Sequence, residues 1–287
     1  MSIQEIPWEG MELSAHAIHI LKHQSPRPRP KRSREKRLAV IIPFRDRNIH
    51  LERLLPLLKT ALDKTVSSYE IYVAEQADEA LFNKGALCNA AIMCLNKDFD
   101  YICFHDVDFV PENIDYQYCS APFRPFGQTR GKKTYQEEFH EGRLERLLAF
   151  DPSLEEKTDC LSAVYPHFWG GVFQLPLETF KKVNGFGNTF PFWGFEDLDF
   201  LLRLLAQGEF PFTDLEGIFQ LQHHTHVIQK GDALVKKRIL SNLEYYRKYS
   251  KQFDFRGGLS NLEFDHFQTK KESSFTKLYL GRFRQKS

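Results

Sequence analysis

A chain of 287 residues, 42% hydrophobic and 14% aromatic, can bury a large core, which excludes bulk disorder and fits one sizeable α/β domain or two smaller ones. Its formal net charge of +1 provides no overall field to draw in a nucleic acid or a membrane. Five cysteines (Cys88, Cys94, Cys103, Cys119 and Cys160) lack Cys-x-x-Cys spacing, which argues against a zinc ribbon and indicates no disulfide framework.

The polar start Met1-Ser-Ile-Gln-Glu5 is no signal peptide, and no run of about 18 apolar residues follows, so a soluble, cytoplasmic chain is expected. Charge is concentrated locally. From Lys22 to Arg37 the sequence holds eight Lys or Arg, one acid and three prolines. This composition reads as a solvated extended linker, or as a basic tether to another polyanion or to anionic lipid, with weak contact to a membrane surface through residues 22–37. It divides the chain into an extension over 1–37 and a folded domain over 38–287.

Leu38-Ala-Val-Ile-Ile-Pro43 is a short continuous apolar run, the pattern of a strand buried on both faces of a parallel sheet. Leu51, Leu54, Leu55 and Leu58 fall at helical spacing. Tyr69 to Ala74 predicts a second strand, Asn83 to Leu95 a helix, and Tyr101 to His105 a third strand. Strand, helix, strand, helix, strand with short connections predicts a doubly wound, Rossmann-like α/β half, in which ligands gather at the carboxyl ends of the strands. Pro43-Phe-Arg-Asp-Arg47 and Asp106-Val-Asp108 both fall there.

The run from Tyr101 to Asp108 reads as a strand delivering a metal site, and because a strand alternates its faces Asp106 and Asp108 point the same way while Val107 turns back into the core. Carboxylate oxygens suit Mg²⁺ or Mn²⁺, ions that usually arrive with a phosphate-bearing substrate, so the pair suggests a nucleotide diphosphate held through its metal. A solvated strand end is the bland alternative. Residues 111–165 are rich in charge and poor in pattern and read as loops and short helices carrying a substrate-facing insertion.

The pattern sharpens at Phe168-Trp-Gly-Gly-Val-Phe-Gln-Leu-Pro176, followed by a helix near Leu177 to Val183 and the turn Asn184-Gly-Phe-Gly-Asn188. Phe192-Trp-Gly-Phe-Glu-Asp-Leu-Asp199 then opens a helix whose Leu198, Leu201, Leu202 and Leu205 share one face. Glu196 and Asp197 occupy its first turn, where the helix dipole favours negative charge. Phe212 to Leu221 reads as another strand, leading into Gln222-His-His-Thr-His226. On an extended backbone His224 and His226 face one side and could join Asp108 on a metal; carboxylate and imidazole together suit Mn²⁺ somewhat better than Mg²⁺.

Sugar transfer from a nucleotide needs a metal or cations at the leaving diphosphate and one carboxylate to deprotonate the attacking hydroxyl. Asp108 with His224 or His226, Arg45 and Arg47, Asp197 or Glu196, and the flat faces of Trp169 and Trp193 supply every part. A metal phosphoesterase would use the same Asp and His ligands but gives no role to Trp193-Gly or the Glu196-Asp197 pair. A non-catalytic sugar-binding protein would keep only the pocket.

Taken together, these strings resemble the beta-1,4-galactosyltransferase family, which also contains N-acetylgalactosaminyl transferases. Pro43-Phe-Arg-Asp-Arg47 is similar to its nucleotide-binding Pro-Phe-Arg-x-Arg, and Phe104-His-Asp-Val-Asp108 to its metal strand. Trp169-Gly-Gly171 is similar to its aromatic-Gly-Gly turn, and Trp193-Gly-Phe-Glu-Asp197 to its acceptor and catalytic segment. His224-x-His226 is like that of the branch that galactosylates xylose, and Gly258-Leu-Ser-Asn-Leu-Glu-Phe264 resembles the closing Gly-Leu-x-x-Leu strand.

The resemblance implies the A-type glycosyltransferase fold in a single domain, a Rossmann-like mixed sheet flanked by helices. Its nucleotide-binding half would span 38–110 and its acceptor and catalytic half 111–287. It implies Mn²⁺ on Asp108, His224 and His226, and inverting transfer of Gal or GalNAc from UDP-Gal or UDP-GalNAc to a hydroxyl of a glycan or glycoconjugate acceptor. Asp197 would be the base and Glu196 would bind the acceptor. The nucleotide would meet Pro43, Phe44, Arg45, Arg47, Phe82, Lys84, Asp106, Val107 and Asp108. The sugars would meet Phe168, Trp169, Gly170, Gly171, Trp193, Gly194 and Glu196.

Two departures stand out. Lys84 replaces the Arg of the family's Phe-Asn-Arg, keeping the charge and losing the planar fork. Phe168 stands where many galactosyl enzymes carry Tyr, so Gal versus GalNAc stays open. Animal members work in the Golgi lumen behind a membrane anchor; here a soluble bacterial-type enzyme is expected, or a Golgi enzyme whose anchor is missing from this chain.

Overall fold

The computed structural model describes residues 29–130, 170–192, 194–214, 216–222 and 233–286. In chain order it begins with β1 (Arg32–Ser33), β2 (Arg37–Phe44), α1 (Asn48–Thr65), β3 (Ser68–Gln76), α2 (Lys84–Met93) and β4 (Tyr101–His105). Four short strands follow: β5 (Phe109–Asn113), β6 (Tyr118–Cys119), β7 (Phe123–Arg124) and β8 (Gln128–Arg130). After β9 (Val172–Pro176) come α3 (Leu177–Lys182), α4 (Glu196–Ala206), β10 (Phe212–Thr213), β11 (Ile218–Leu221) and α5 (Ala233–Lys248). A hairpin of β12 (Leu262–Lys271) and β13 (Thr276–Gln285) closes the fold.

Eight strands form the main sheet in the order β10-β7-β9-β4-β2-β3-β13-β12. β2 lies at its centre, parallel to both β3 and β4, and every residue from Leu38 to Ile42 is 0% exposed. Its side chains alternate between two cores, Ala39 and Ile41 entering one and Leu38, Val40, Ile42 and Phe44 the other. An apolar run without polar alternation is what two covered faces demand; each buried Val, Leu or Ile contributes about 1.5–3 kcal/mol.

α1 covers one face with Leu51, Leu54, Leu58 and Leu62, a stripe at helical spacing. α2 and α4 cover the other. Phe104 of β4 anchors that core, its ring 5.3, 5.2 and 5.1 Å from those of Phe173, Phe180 and Phe186, and Phe186 stacks on Phe200 of α4 at 4.4 Å. All four leucines predicted for the inner face of α4 are buried there.

Four expectations change, the first being the single strand read over Phe212 to Leu221, which is split into β10 of the main sheet and β11 of a smaller one. Within 111–165 the described residues, to Arg130, form short strands joined by loops rather than loops and short helices, and β5 and β8 pair with β11 in a separate three-stranded sheet. Strands of two to five residues are too short to show alternation in sequence, and their partner lies far along the chain. The remainder of that segment, 131–165, lies outside the described residues.

The basic stretch is not solvated throughout. Arg32 pairs with Asp115 at 2.7 Å and lies over the Phe123 ring, Lys36 pairs with Asp100 at 2.8 Å, and Arg37 with Glu70 at 2.7 Å. Finally, the expected strand at Gly258 starts later. Gly258 has φ of 153° and gives its N–H to Asn261 Oδ1, and a 3₁₀ turn over Leu259–Asn261 precedes β12.

That turn docks on the Asn184–Asn188 loop through Leu259 N–H to Asn184 O (2.9 Å) and Asn188 Nδ2 to Gly258 O (2.9 Å). Beside it lies a buried ion pair within α4: Arg203 Nε donates to Asp199 Oδ2 at 2.7 Å, with side chains 2% and 1% exposed. Arg203 Nη1 also reaches Gly257 O at 2.9 Å, and the Ser250 hydroxyl donates to Asp199. Among the described residues no helix is long and apolar enough to cross a membrane. Arg203→Ala strands a buried carboxylate, so urea unfolding should show a loss of about 3–5 kcal/mol; a loss under about 1 kcal/mol contradicts this reading.

Candidate active site

β4 ends at His105, and the acidic pair follows in a turn. Asp106 N–H donates to Gly171 O at 2.8 Å, and Phe109 N–H donates back to Asp106 O at 3.2 Å. Asp106 and Asp108 therefore do not continue the strand, as had been expected. The backbone bends because β5 must turn away to pair with β11. Val107 does return to the core, at 9% exposure.

Gln222 braces this turn. Its N–H donates to Asp108 O at 2.8 Å, and its Nε2 donates to Val107 O and His50 O, both at 3.0 Å. Beneath, buried His105 sits 3.1 Å from Asp106 O through Nδ1 and 3.0 Å from the Tyr116 hydroxyl through Nε2. A carbonyl only accepts, so Nδ1 carries the proton and Tyr116 donates to Nε2. Burial pushes the His105 pKa down to about 4, and the ring serves as a neutral strut.

The residue that joins this turn to the start of α4 is Lys84, the first residue of α2. Its Nζ lies 3.1 Å from the Asp106 carboxylate and 3.3 Å from Asp197 Oδ1, with the side chain 12% exposed. A cation in the first turn opposes the helix dipole. Burial also works against its charge, but Asp106, Asp197 and Glu196 overcome it and hold the ammonium well above its ordinary pKa. Asn83 fixes the helix start, accepting Ala86 N–H on Oδ1 at 3.0 Å and donating from Nδ2 to Asn188 O at 2.8 Å.

Asp197 stands in the first turn of α4 with Glu196, as predicted. Glu196 is buried, and burial followed by the neighbouring Asp197 charge raises its pKa to about 8. Gly170 is required by contact: a Cβ there would lie 2.2 Å from Asp197 Oδ2. Gly171 has φ of 80°, and a Cβ there would meet the Phe109 ring at 2.5 Å.

On the β2 side, Phe44 is buried in the core with Lys277 Nζ 5.1 Å from its ring centroid. Arg45 donates to Ala80 O at 2.7 Å, lies 3.6 Å from Asp78 and sits over the Phe82 ring at 5.5 Å. Asp46 takes φ of 53° at the bend, and the Arg47 carbonyl accepts Leu51 N–H at the start of α1. Arg45, Phe82, Lys84, Asp106, Asp197 and Gly170 are thus linked by successive contacts or chain neighbours. Phe168, Trp169, Trp193, His224 and His226 lie outside the described residues. Sequence reasoning missed Gln222, which has no local signal, the Lys84–Asp197 contact between distant segments, and Asn83 as the cap of α2, although an Asn at a predicted helix start is the signal for one.

Family models match two stretches: the N-terminal region of glycosyl transferase group 7 over residues 4–120, and the N-terminal domain of galactosyltransferase over residues 157–227. Beta-1,4-galactosyltransferase 6 of Rattus norvegicus is 32% identical over 242 residues, covering 82% of this chain and 54% of that protein. The chain belongs to the beta-1,4-galactosyltransferase family. Human beta-1,4-galactosyltransferase 1, another member, is 33% identical over 174 residues, 60% of this chain and 37% of that protein. The chain thus spans about half the length, or less, of these relatives.

The A-type glycosyltransferase fold is shared with beta-1,4-galactosyltransferase 7 of Drosophila, crystallised as a mutant with manganese, UDP-Gal and xylobiose. That chain is 22% identical, with a TM-score of 0.61 over 86% of this chain and 94% of its own. Gly170→Ala should cost about 1–3 kcal/mol by urea unfolding, and less than about half that in an Asp197→Ala background where the clash is gone. Equal costs in both backgrounds would show that the glycine does not serve Asp197.

Proposed function

We propose that this chain is a metal-dependent inverting glycosyltransferase that moves Gal or GalNAc from a UDP-sugar to a hydroxyl of a glycan acceptor. The observation that carries it is the Lys84 ammonium shared between Asp106, in the turn after β4, and Asp197, at the start of α4. It brings a carboxylate loop of the kind that receives a nucleotide's metal within one side chain of an acid suited to deprotonate a hydroxyl. The manganese, UDP-Gal and xylobiose of the Drosophila neighbour support the same classes of metal, donor and acceptor.

Asp108, His224 and His226 would hold the ion, and one hard carboxylate with two imidazoles fits Mn²⁺. Among the described residues no group of three or more ligating side chains stands together, and His224 and His226 would complete the set. Gln222 is bonded to the Asp108 backbone, and His224 follows it by only two residues, which supports their joining one site. When bound, the ion would neutralise charge building on the leaving diphosphate.

The protein's own groups divide the remaining work. Lys84 presents positive charge on the nucleotide side and fixes the direction of the Asp197 carboxylate. Asp197 takes the proton from the acceptor hydroxyl as that oxygen displaces the diphosphate from the opposite face of the sugar carbon, which inverts the centre in one step. Glu196, protonated at neutral pH, donates a hydrogen bond to the acceptor. We take the setting to be cytoplasmic, supported by free thiols at Cys88, Cys94, Cys103 and Cys119.

Calorimetry should show UDP binding strengthened by Mn²⁺, with Asp108→Asn losing about tenfold or more of that gain while remaining folded. Asp197→Asn should keep UDP affinity and lower transfer by about a hundredfold or more. Mn²⁺ without effect on UDP affinity refutes the proposal. As pH rises through about 8, Glu196 ionises and loses its donor, so the acceptor KM should climb in the wild type and stay flat in Glu196→Gln. Parallel profiles would remove Glu196 from the acceptor site.

A further inference from the structure

Asn242, on α5 and outside every motif considered above, is 4% exposed. Its Nδ2 donates to Pro191 O at 3.0 Å and to Gly194 O at 3.3 Å. One amide nitrogen therefore closes the loop that hands the chain to Glu196 and Asp197. That loop is strained. Phe192, Gly194 and Phe195 have φ of 85°, 89° and 76°. Two of them are bulky residues, and such residues keep a left-handed backbone only where their surroundings enforce it.

The enforcement comes from two sides. From α5, the Tyr246 ring lies 5.5 Å from Phe195, and the Tyr245 ring meets Phe190 edge-on at 5.2 Å. From the other side, Phe192 N–H donates to Phe82 O at 2.5 Å, two residues before Lys84. The rings supply bulk, whereas Asn242 supplies direction, because its two donors fix where two carbonyls point. Asp has the same shape but offers only acceptors when ionised, and would repel both carbonyls.

We propose that Asn242 is a positioning residue for acceptor use: it fixes the start of α4, and with it Glu196 and Asp197, while the carboxylate turn at the nucleotide end keeps supports of its own. This rests on the proposed function. The nucleotide end is held separately, by Gln222 and Gly171 at the Asp106–Asp108 turn.

The test uses the full chain with Asn242→Ala and Asn242→Asp. Hydrogen exchange read by mass spectrometry should speed up about tenfold over residues 191–199 in both variants, with peptides over 38–47 and 101–110 unchanged. The acceptor KM should rise about tenfold while UDP affinity in Mn²⁺ stays within about twofold. Unchanged exchange over 191–199 in a folded variant overturns the proposal. So does a loss of UDP affinity matching the rise in acceptor KM, which would mean general loosening. Exchange needs no substrate, so a wild-type chain inert towards UDP-sugars refutes the proposed function separately from the restraint on the loop.

Discussion

A single ammonium between two carboxylates organises the site. Lys84 is nearly buried at a helix start, where both desolvation and the helix dipole oppose its charge, and it persists because Asp106 and Asp197 converge on it. Convergence demands that three distant segments be fixed separately. The Asn83 cap fixes α2, Gly171 and Gln222 fix the turn after β4, and Gly170 leaves the space that the Asp197 carboxylate fills. Losing one of the three charges would leave its partners unmatched in a part-buried setting, which costs more than an ordinary hydrogen bond.

The same logic extends outward. Buried ion pairs add little net stability compared with apolar packing, so the Asp199–Arg203 pair is better understood as a device for position. It ties α4 to Gly257 and to Ser250 just beyond α5, and the Asn184–Asn188 loop beside it is bonded to the turn before β12. The C-terminal hairpin extends the sheet. The segment that leads into it, Ser250 to Asn261, braces the helix that carries the candidate base.

Legibility in the sequence followed the range of the forces involved. β2, α1, β3, α2 and β4 could be predicted because continuous apolar runs and leucine stripes record local burial, and the first turn of α4 could be placed from its leucines. β5 to β8 could not, because each is short and pairs with a remote partner. The bend at Asp106 escaped for the same reason: it is imposed by Gly171 and by the pairing of β5 with β11. The family resemblance singled out Lys84 for the nucleotide, and the structure shows it between Asp106 and Asp197. Its contact with Asp197 depends on the tertiary packing of α2 against α4 and left no trace in either segment.

The central claim is that the carboxylate turn after β4 and the acid at the start of α4 serve one cavity, joined by Lys84. Crystals grown with Mn²⁺ and UDP, measured at the manganese absorption edge, test it directly. The account predicts one anomalous peak in contact with the Asp108 carboxylate, with the diphosphate on the Lys84 side and Asp197 facing the same cavity. A manganese peak remote from Asp108, or an Asp197 opening onto a different surface, would contradict it.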